Sequence, residues 1–298
     1  MAKLYDAISS NKRNSVVLVI AFIIIALGLS YFLGFFFANA FVGLIFGIIF
    51  IIIMMLIGFY GGDSLILSMH HAKEVSKKED PYLVNTIEGL SLAAGIPVPK
   101  IYIIKENSPN AFATGRDPQH ASITVTSGLR EIMDRQELEG VIAHEMSHIK
   151  NFDIRYMMLV TILAGVVVLI SDFILRSFLW GGARSHDRKS GGIGIALILI
   201  GLLLAILSPI VAQLIKLAAS RQREYLADVS GTMLTRNPQG LANALKKIRD
   251  AKDKIVDDAN KATAHLFIEN PLRGLGGMNE LFSTHPDINS RIKRLEEM

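Results

Sequence analysis

His144, Glu145 and His148 stand in the run VIAHEMSHIKNFD, residues 141–153. On an α-helix, positions four apart share a face and lie about 6 Å apart along the axis. Two imidazoles so placed can offer nitrogens to one ion, while Glu145, one step round, points beside it. A carboxylate there can take a proton from an attacking water and return it to a leaving amine. Zinc suits such a centre, because three protein ligands leave a fourth position for water. The plain alternative is a pair of surface histidines with a glutamate between them.

Two ligands do not complete the sphere. The chain has no cysteine, so the third must be His, Asp or Glu. His70, His71 and His120 precede the motif; His186, His265 and His285 follow it. The run SRQREYLADVSG, 220–231, offers more, because Glu224 and Asp228 are again four apart on one helical face. Glu224 is then the preferred third ligand. Asp228, a turn further on, can accept the N–H of a ligating imidazole and fix its tautomer. Beside Arg221 and Arg223, Glu224 also reads as an ordinary surface charge.

These residues need elements to hold them, and the composition says where those elements lie. Of 298 residues 51% are hydrophobic, and the mean hydropathy is positive, too apolar for an ordinary soluble domain. Residues 15–37 and 40–60 carry no charge, and each is near the ~20 residues needed to cross a bilayer. Only Ala38 and Asn39 separate them, which predicts a hairpin. The first run exceeds the ~7–15 residues of a signal-peptide core and a second span follows at once, so it reads as an uncleaved anchor. Weaker apolar runs occupy 156–175, with Asp172, and 193–215, with Pro209 and Gln213. Basic residues number three in 1–14, ten in 61–155 and fourteen from 216 onward, placing all three stretches in the cytoplasm. The loop at 176–190, with four, is discordant. A net charge of +4 without a concentrated basic stripe excludes nucleic acid as a partner and suits a surface beside anionic lipid.

Between the apolar runs the patterns are mixed. Leu83, Ile87, Leu90 and Ala94 give a helical period ending at Gly95. PKIYIIKEN and HASITVTSG read as strands, with NAFATGRDPQ a short strand and turn between them. Asp134 and Glu137 form a capping box for the helix carrying the histidines, which is expected to run unbroken into the third apolar run. From 216 to 298 the pattern is helical throughout, with Leu241, Leu245, Ile248 and Ile255 on one face and Ile288, Ile292 and Leu295 marking a last helix with Pro286 in its first turn. The domains are therefore a cytoplasmic tail (1–14), a transmembrane hairpin (15–60), a first catalytic part with a small sheet (61–155), two apolar helices with an outer loop (156–215) and a helical second catalytic part (216–298).

HEMSHIKNFD, two apolar runs, then SRQREYLAD, all after a hydrophobic hairpin and NAFATG, resembles the HtpX family of bacterial membrane metalloproteases, relatives of the CAAX prenyl proteases. The likeness spans nearly the whole chain, and no matched motif position departs from it. It implies an α+β, mostly helical membrane protein with a zincin-like catalytic domain. It implies a zinc endopeptidase of the cytoplasmic membrane, facing the cytoplasm, that cuts peptide segments of membrane or misfolded proteins in quality control. By resemblance His144, His148 and Glu224 are the zinc ligands, Glu145 the base and Asp228 a supporting carboxylate. Asn110, Ala111, Phe112 and Ala113 would form the edge strand on which substrate is laid. STHPDINSR resembles a carboxy-terminal His-Pro…Arg element, so His285 would assist the oxyanion, with Arg291 beside it.

Three other readings compete. An intramembrane protease would bury the motif inside an apolar span, whereas here DRQELEG precedes it and Lys150, Asn151, Asp153 and Arg155 follow. Prenyl-peptide cleavage would need a membrane chamber, for which four apolar runs are few. A metal-holding scaffold would have no use for Glu145.

Overall fold

In a computed structural model, the chain is described at residues 2–37, 39–162, 221–251, 266–268 and 286–298. Helix α1 (Ala2–Phe37) takes in the stretch set apart above as a tail, and α2 (Ala40–Met69) runs past its apolar stretch into the polar part. Asn39 caps α2 by accepting from Phe41 N, and the two helices then lie side by side. Their approach is close enough that a Cβ on Gly47 would meet Ser30. In α2 an 18-residue window has a mean hydropathy of 3.1 yet is only 11% buried, so its apolar face is not covered by protein as a soluble core helix would be.

The polar part opens with β1 (Lys73–Glu74) and α3 (Pro81–Ala94), which is capped by Asp80 and closed by Gly95 at φ 69°. Strands β2 (Lys100–Ile104), β3 (Ala111–Gly115) and β4 (Ala121–Thr126) complete a sheet of order β1-β2-β4-β3. Only β2 and β4 run parallel; β3 forms one rim. After α4 (Ser127–Ile132) comes α5 (Arg135–Lys150), which carries the histidines. Asp134 and Glu137 make the expected capping box, Glu137 also pairing with Lys247. Leu138, Val141, Ile142, Met146 and Ile149 of α5 are buried in one core with α3, the sheet and the carboxy-terminal helices.

Helix α5 does not continue into the third apolar run. It stops at Asn151, and Phe152 turns into the left-handed region at φ 62° before a new helix, α6, occupies 153–162. For a non-glycine residue that conformation costs about 1–3 kcal/mol, and it ends the hydrogen-bond ladder. The Phe152 ring is flanked by Lys12 Nζ at 4.2 Å and Arg155 Cζ at 5.1 Å from its centroid. The rest of the third run, all of the fourth and the loop between them lie outside the described residues.

The carboxy-terminal part holds α7 (Arg221–Thr235), α8 (Pro238–Asp250) and α9 (Ile288–Glu296). Asp287 caps α9, so Pro286 precedes the cap rather than sitting in the first turn. Nor is the stretch helical throughout. At 267–268 the chain is bent, and Ile268 N donates to Ala111 O at 2.9 Å. Leu266 and Phe267 join Ile66, Ile104, Phe112, Met157, Met158 and Ile162 in a second apolar cluster, which fastens α2 and α6 to the sheet. Within it the Phe267 ring meets those of His70 and Phe112 edge-on, and His70 and Phe112 are tilted against each other.

Glu224, Asp228 and Gly231 fall on one face of α7, at i, i+4 and i+7, and all three are buried against α5. A Cβ on Gly231 would sit 2.9 Å from His144 N and 3.1 Å from Ala143 C. Gly231 therefore sets how near α7 comes to α5. Gly231→Ala is expected to cost about 1–3 kcal/mol and to move Glu224 away from the two imidazoles. Thermal unfolding together with metal content checks this; a variant matching the parent in both would show that the spacing is set elsewhere.

Candidate metal centre

His144 and His148 project from successive turns of α5 with their Nε2 atoms 3.2 Å apart. Glu224 reaches over from α7, with Oε2 3.7 Å from His144 Nε2 and Oε1 3.7 Å from His148 Nε2. One donor atom from each residue lies within 4.8 Å of the others, and all three residues are buried. A tetrahedral ion with ligands at about 2.0–2.2 Å places neighbouring donors roughly 3.3–3.6 Å apart, so the cluster has the right dimensions.

The outer nitrogens decide what the centre can hold. His144 Nδ1 is 2.9 Å from Asp228 Oδ1, and His148 Nδ1 is 3.0 Å from Asp153 Oδ2. A carboxylate at Nδ1 calls for the proton there, which leaves the lone pair on Nε2. Two lone pairs 3.2 Å apart repel unless a cation stands with them, and a carboxylate faces the same point. The donor set fits a metal ion. With none bound, a proton takes that role: burial depresses the His148 pKa, but the hydrogen bond it donates to Asp153 and the charges of Glu224, Asp153 and Glu145 outweigh it and carry it to about 9.

Glu145 lies beside the histidines and is only 1% exposed. Burial raises its pKa, as does the charge of Glu224, against the lowering pull of His144, His148 and Arg291. Asp228 goes the other way. Burial opposes its charge, but Arg291 and His144 win and keep its carboxyl below the usual range.

Asp153 is the residue that sequence reasoning passed over, taking it as part of a polar flank. It reaches His148 because α5 stops two residues earlier. The available signal was NFD, beginning three residues after the second histidine, a pairing of capping and acidic residues that favours a helix end. Asp153→Asn keeps the shape but gives up the carboxylate, and it is expected to weaken metal affinity about 10–100-fold. A competition titration against a chelator measures this; unchanged affinity would make Asp153 a mere helix-start residue.

Arg291, expected beside the oxyanion, lies among the carboxylates of the cluster. It is fully buried, with Nε and Nη2 on Asp228 at 3.0 and 2.7 Å, Nη1 on Ile268 O at 3.0 Å and Nη1 3.5 Å from Glu224 Oε2. Nη2 stands 3.4 Å from both ring nitrogens of His144. It sits behind the ligands, holding two carboxylates together.

The NAFA stretch lies along the rim formed by β3. Asn110 O accepts from Thr126 N, so by antiparallel alternation Asn110 and Phe112 direct their backbone groups at β4, while those of Ala111 and Ala113 point outward. The Ala111 carbonyl is already taken by Ile268. His285, His186 and His265 lie outside the described residues. His70 is in the aromatic cluster, His71 is exposed, and His120 pairs with Asp117 at 2.7 Å.

Residues 77–298 match the model of Peptidase family M48. The chain belongs to that family. It is 44% identical over 294 residues to a protein named Protease HtpX homolog from Dictyoglomus thermophilum, covering 99% of this chain and 94% of that one. A Protease HtpX homolog from Caldanaerobacter subterraneus subsp. tengcongensis is 46% identical over 297 residues, with 99% and 98% covered. In fold, this M48 chain is similar to the crystal structure of S. mikatae Ste24p, with a TM-score of 0.52 at 18% identity, over 99% of this chain and 67% of that one. At that identity the likeness is one of fold.

Proposed function

We propose that this M48 chain is a membrane-bound zinc metalloendopeptidase with His144, His148 and Glu224 as ligands. The observation that carries the reading is the convergence of two Nε2 lone pairs and a carboxylate, with both Nδ1 atoms committed to aspartates. Buried nitrogen and carboxylate donors at tetrahedral spacing favour zinc over calcium or magnesium, which take oxygen sets.

When bound, zinc polarises the scissile carbonyl and makes water nucleophilic near neutral pH. Glu145 removes the proton from the attacking water and passes it to the departing amine, so no covalent intermediate with the protein is needed. Asp228 and Asp153 hold the two imidazoles in one tautomer. Arg291 keeps Asp228 ionised and holds both Asp228 and Glu224 in place. His285, by its place in the sequence, assists the oxyanion. Substrate backbone adds along the rim of β3 beside Ala111 and Ala113, where it must displace Ile268 from the Ala111 carbonyl.

The α1–α2 hairpin anchors the enzyme in the cytoplasmic membrane, and the basic residues of the polar parts orient the centre to the cytoplasm. Arg116 lies over the rings of Phe59 and Tyr60, where the apolar stretch of α2 ends, so the sheet begins at the bilayer surface. A protease in that position meets cytoplasmic segments of membrane proteins and misfolded chains, which suits quality control. Purified protein in detergent is expected to carry one zinc per chain and to cleave casein, a chelator abolishing cleavage and zinc restoring it. Retained zinc without cleavage under any of these conditions would make the chain a metal-holding scaffold.

A further inference from the structure

Helices α1, α2 and α6 leave a cavity of about 280 Å³ between them. Lys12, Ser15, Val16, Val19 and Ile20 line it from α1, one helical face at i, i+3, i+4, i+7 and i+8. Met54, Met55, Gly58 and Phe59 line it from α2, and Arg155, Leu159 and Ile162 from α6. Its polar groups gather at one end. There Lys12 and Arg155 flank the Phe152 ring, and Arg155 Nε also donates to Arg116 O. The neighbouring carboxylates are turned to other partners: Asp153 to His148 and Arg223, Asp117 to Arg116 and His120.

We propose that this cavity is a binding site for one anionic phospholipid, its phosphate between Lys12 and Arg155 and an acyl chain along α1 toward Phe22. The dimensions agree. From Lys12 to Phe22 a helix rises about 15 Å, half of the ~30 Å hydrocarbon core, which is the depth of one leaflet. The cations mark the end of the apolar stretches, where phosphates lie. An apolar gap opening to lipid fills with hydrocarbon rather than water, since protein interiors are otherwise close-packed. Two cations at the mouth, with no carboxylate among the described residues facing them, select an anionic headgroup over a zwitterionic one.

The proposal rests on reading α1 and α2 as membrane-embedded. Extraction of the chain without detergent would sink that reading; the following experiment addresses the site itself. The full chain is purified in micelles holding equal amounts of phosphatidylglycerol and phosphatidylcholine with matched acyl chains, and retained lipid is counted by native mass spectrometry. One phosphatidylglycerol per chain is expected, in about 25-fold excess over phosphatidylcholine, the two nearby cations giving about fivefold each. Lys12→Glu is expected to bring the two lipids to parity. Val19→Phe, which fills the cavity, is expected to lower retention of both, while casein cleavage in detergent stays at the parent rate and shows the fold intact. Equal retention of the two lipids by the parent would overturn the proposal, as would retention that neither variant alters. Displacement of the lipid by an equimolar apolar transmembrane peptide would instead assign the cavity to substrate.

Discussion

Glu145→Gln is expected to hold as much metal as the parent and to cleave peptide bonds about 10²–10⁴-fold more slowly. The substitution keeps size and shape, and His144, His148 and Glu224 are untouched. What disappears is a group that can accept a proton and return it. The environment suits Glu145 to the proposed duty: the residue is 1% exposed, and burial holds its pKa above that of a free glutamate. A raised pKa makes the carboxylate a better base during attack and leaves its proton available to the leaving amine. Metal analysis beside steady-state cleavage of casein separates the two functions. A variant that loses metal along with activity would make Glu145 part of the binding sphere; one that cleaves at the parent rate would remove it from the mechanism.

Arg291→Met should cost about 3–5 kcal/mol of stability, because it leaves the Asp228 charge buried without its partner. Asp228 is 3% exposed and receives two nitrogens of the guanidinium in a fork. Arg291→Lys is not expected to rescue it, since an ammonium cannot span both oxygens of Asp228 and the Ile268 carbonyl together. The double variant Arg291→Met, Asp228→Asn removes both charges and should recover much of the stability. It should still bind metal weakly, because His144 Nδ1 no longer meets a carboxylate. Thermal unfolding of the chelated protein and a metal titration, run as a double-mutant cycle, give both quantities. If the single variant melts with the parent, Arg291 does not hold the centre together.

Much of the centre is legible from spacing alone. His-Glu-x-x-His and the Glu224–Asp228 pair are local helical patterns, and helical periodicity fixes which side chains share a face before any tertiary contact forms. The Asp134–Glu137 capping box and the closure of α3 at Gly95 are local in the same way, and both appear where the sequence places them. The apolar run of α2 is likewise plain, since hydropathy is a property of composition.

What lay beyond the sequence depends on how elements meet. The end of α5 at Asn151 cannot be read from helix propensity, because Phe152 takes a left-handed turn and its ring meets Lys12 of α1 and Arg155 of α6. Without that turn Asp153 would not reach His148. Arg291 looks like a surface charge near a helix start, yet packing of α9 on α7 buries it against Asp228. The rim of β3 looks open in sequence, but a segment more than a hundred residues on supplies Ile268 to Ala111. The sequence by itself determined which candidate side chains share a helical face, because their order on each helix is a matter of period. Only the tertiary structure decided what stands behind them, because those partners come from segments far apart in the chain that folding alone brings into contact.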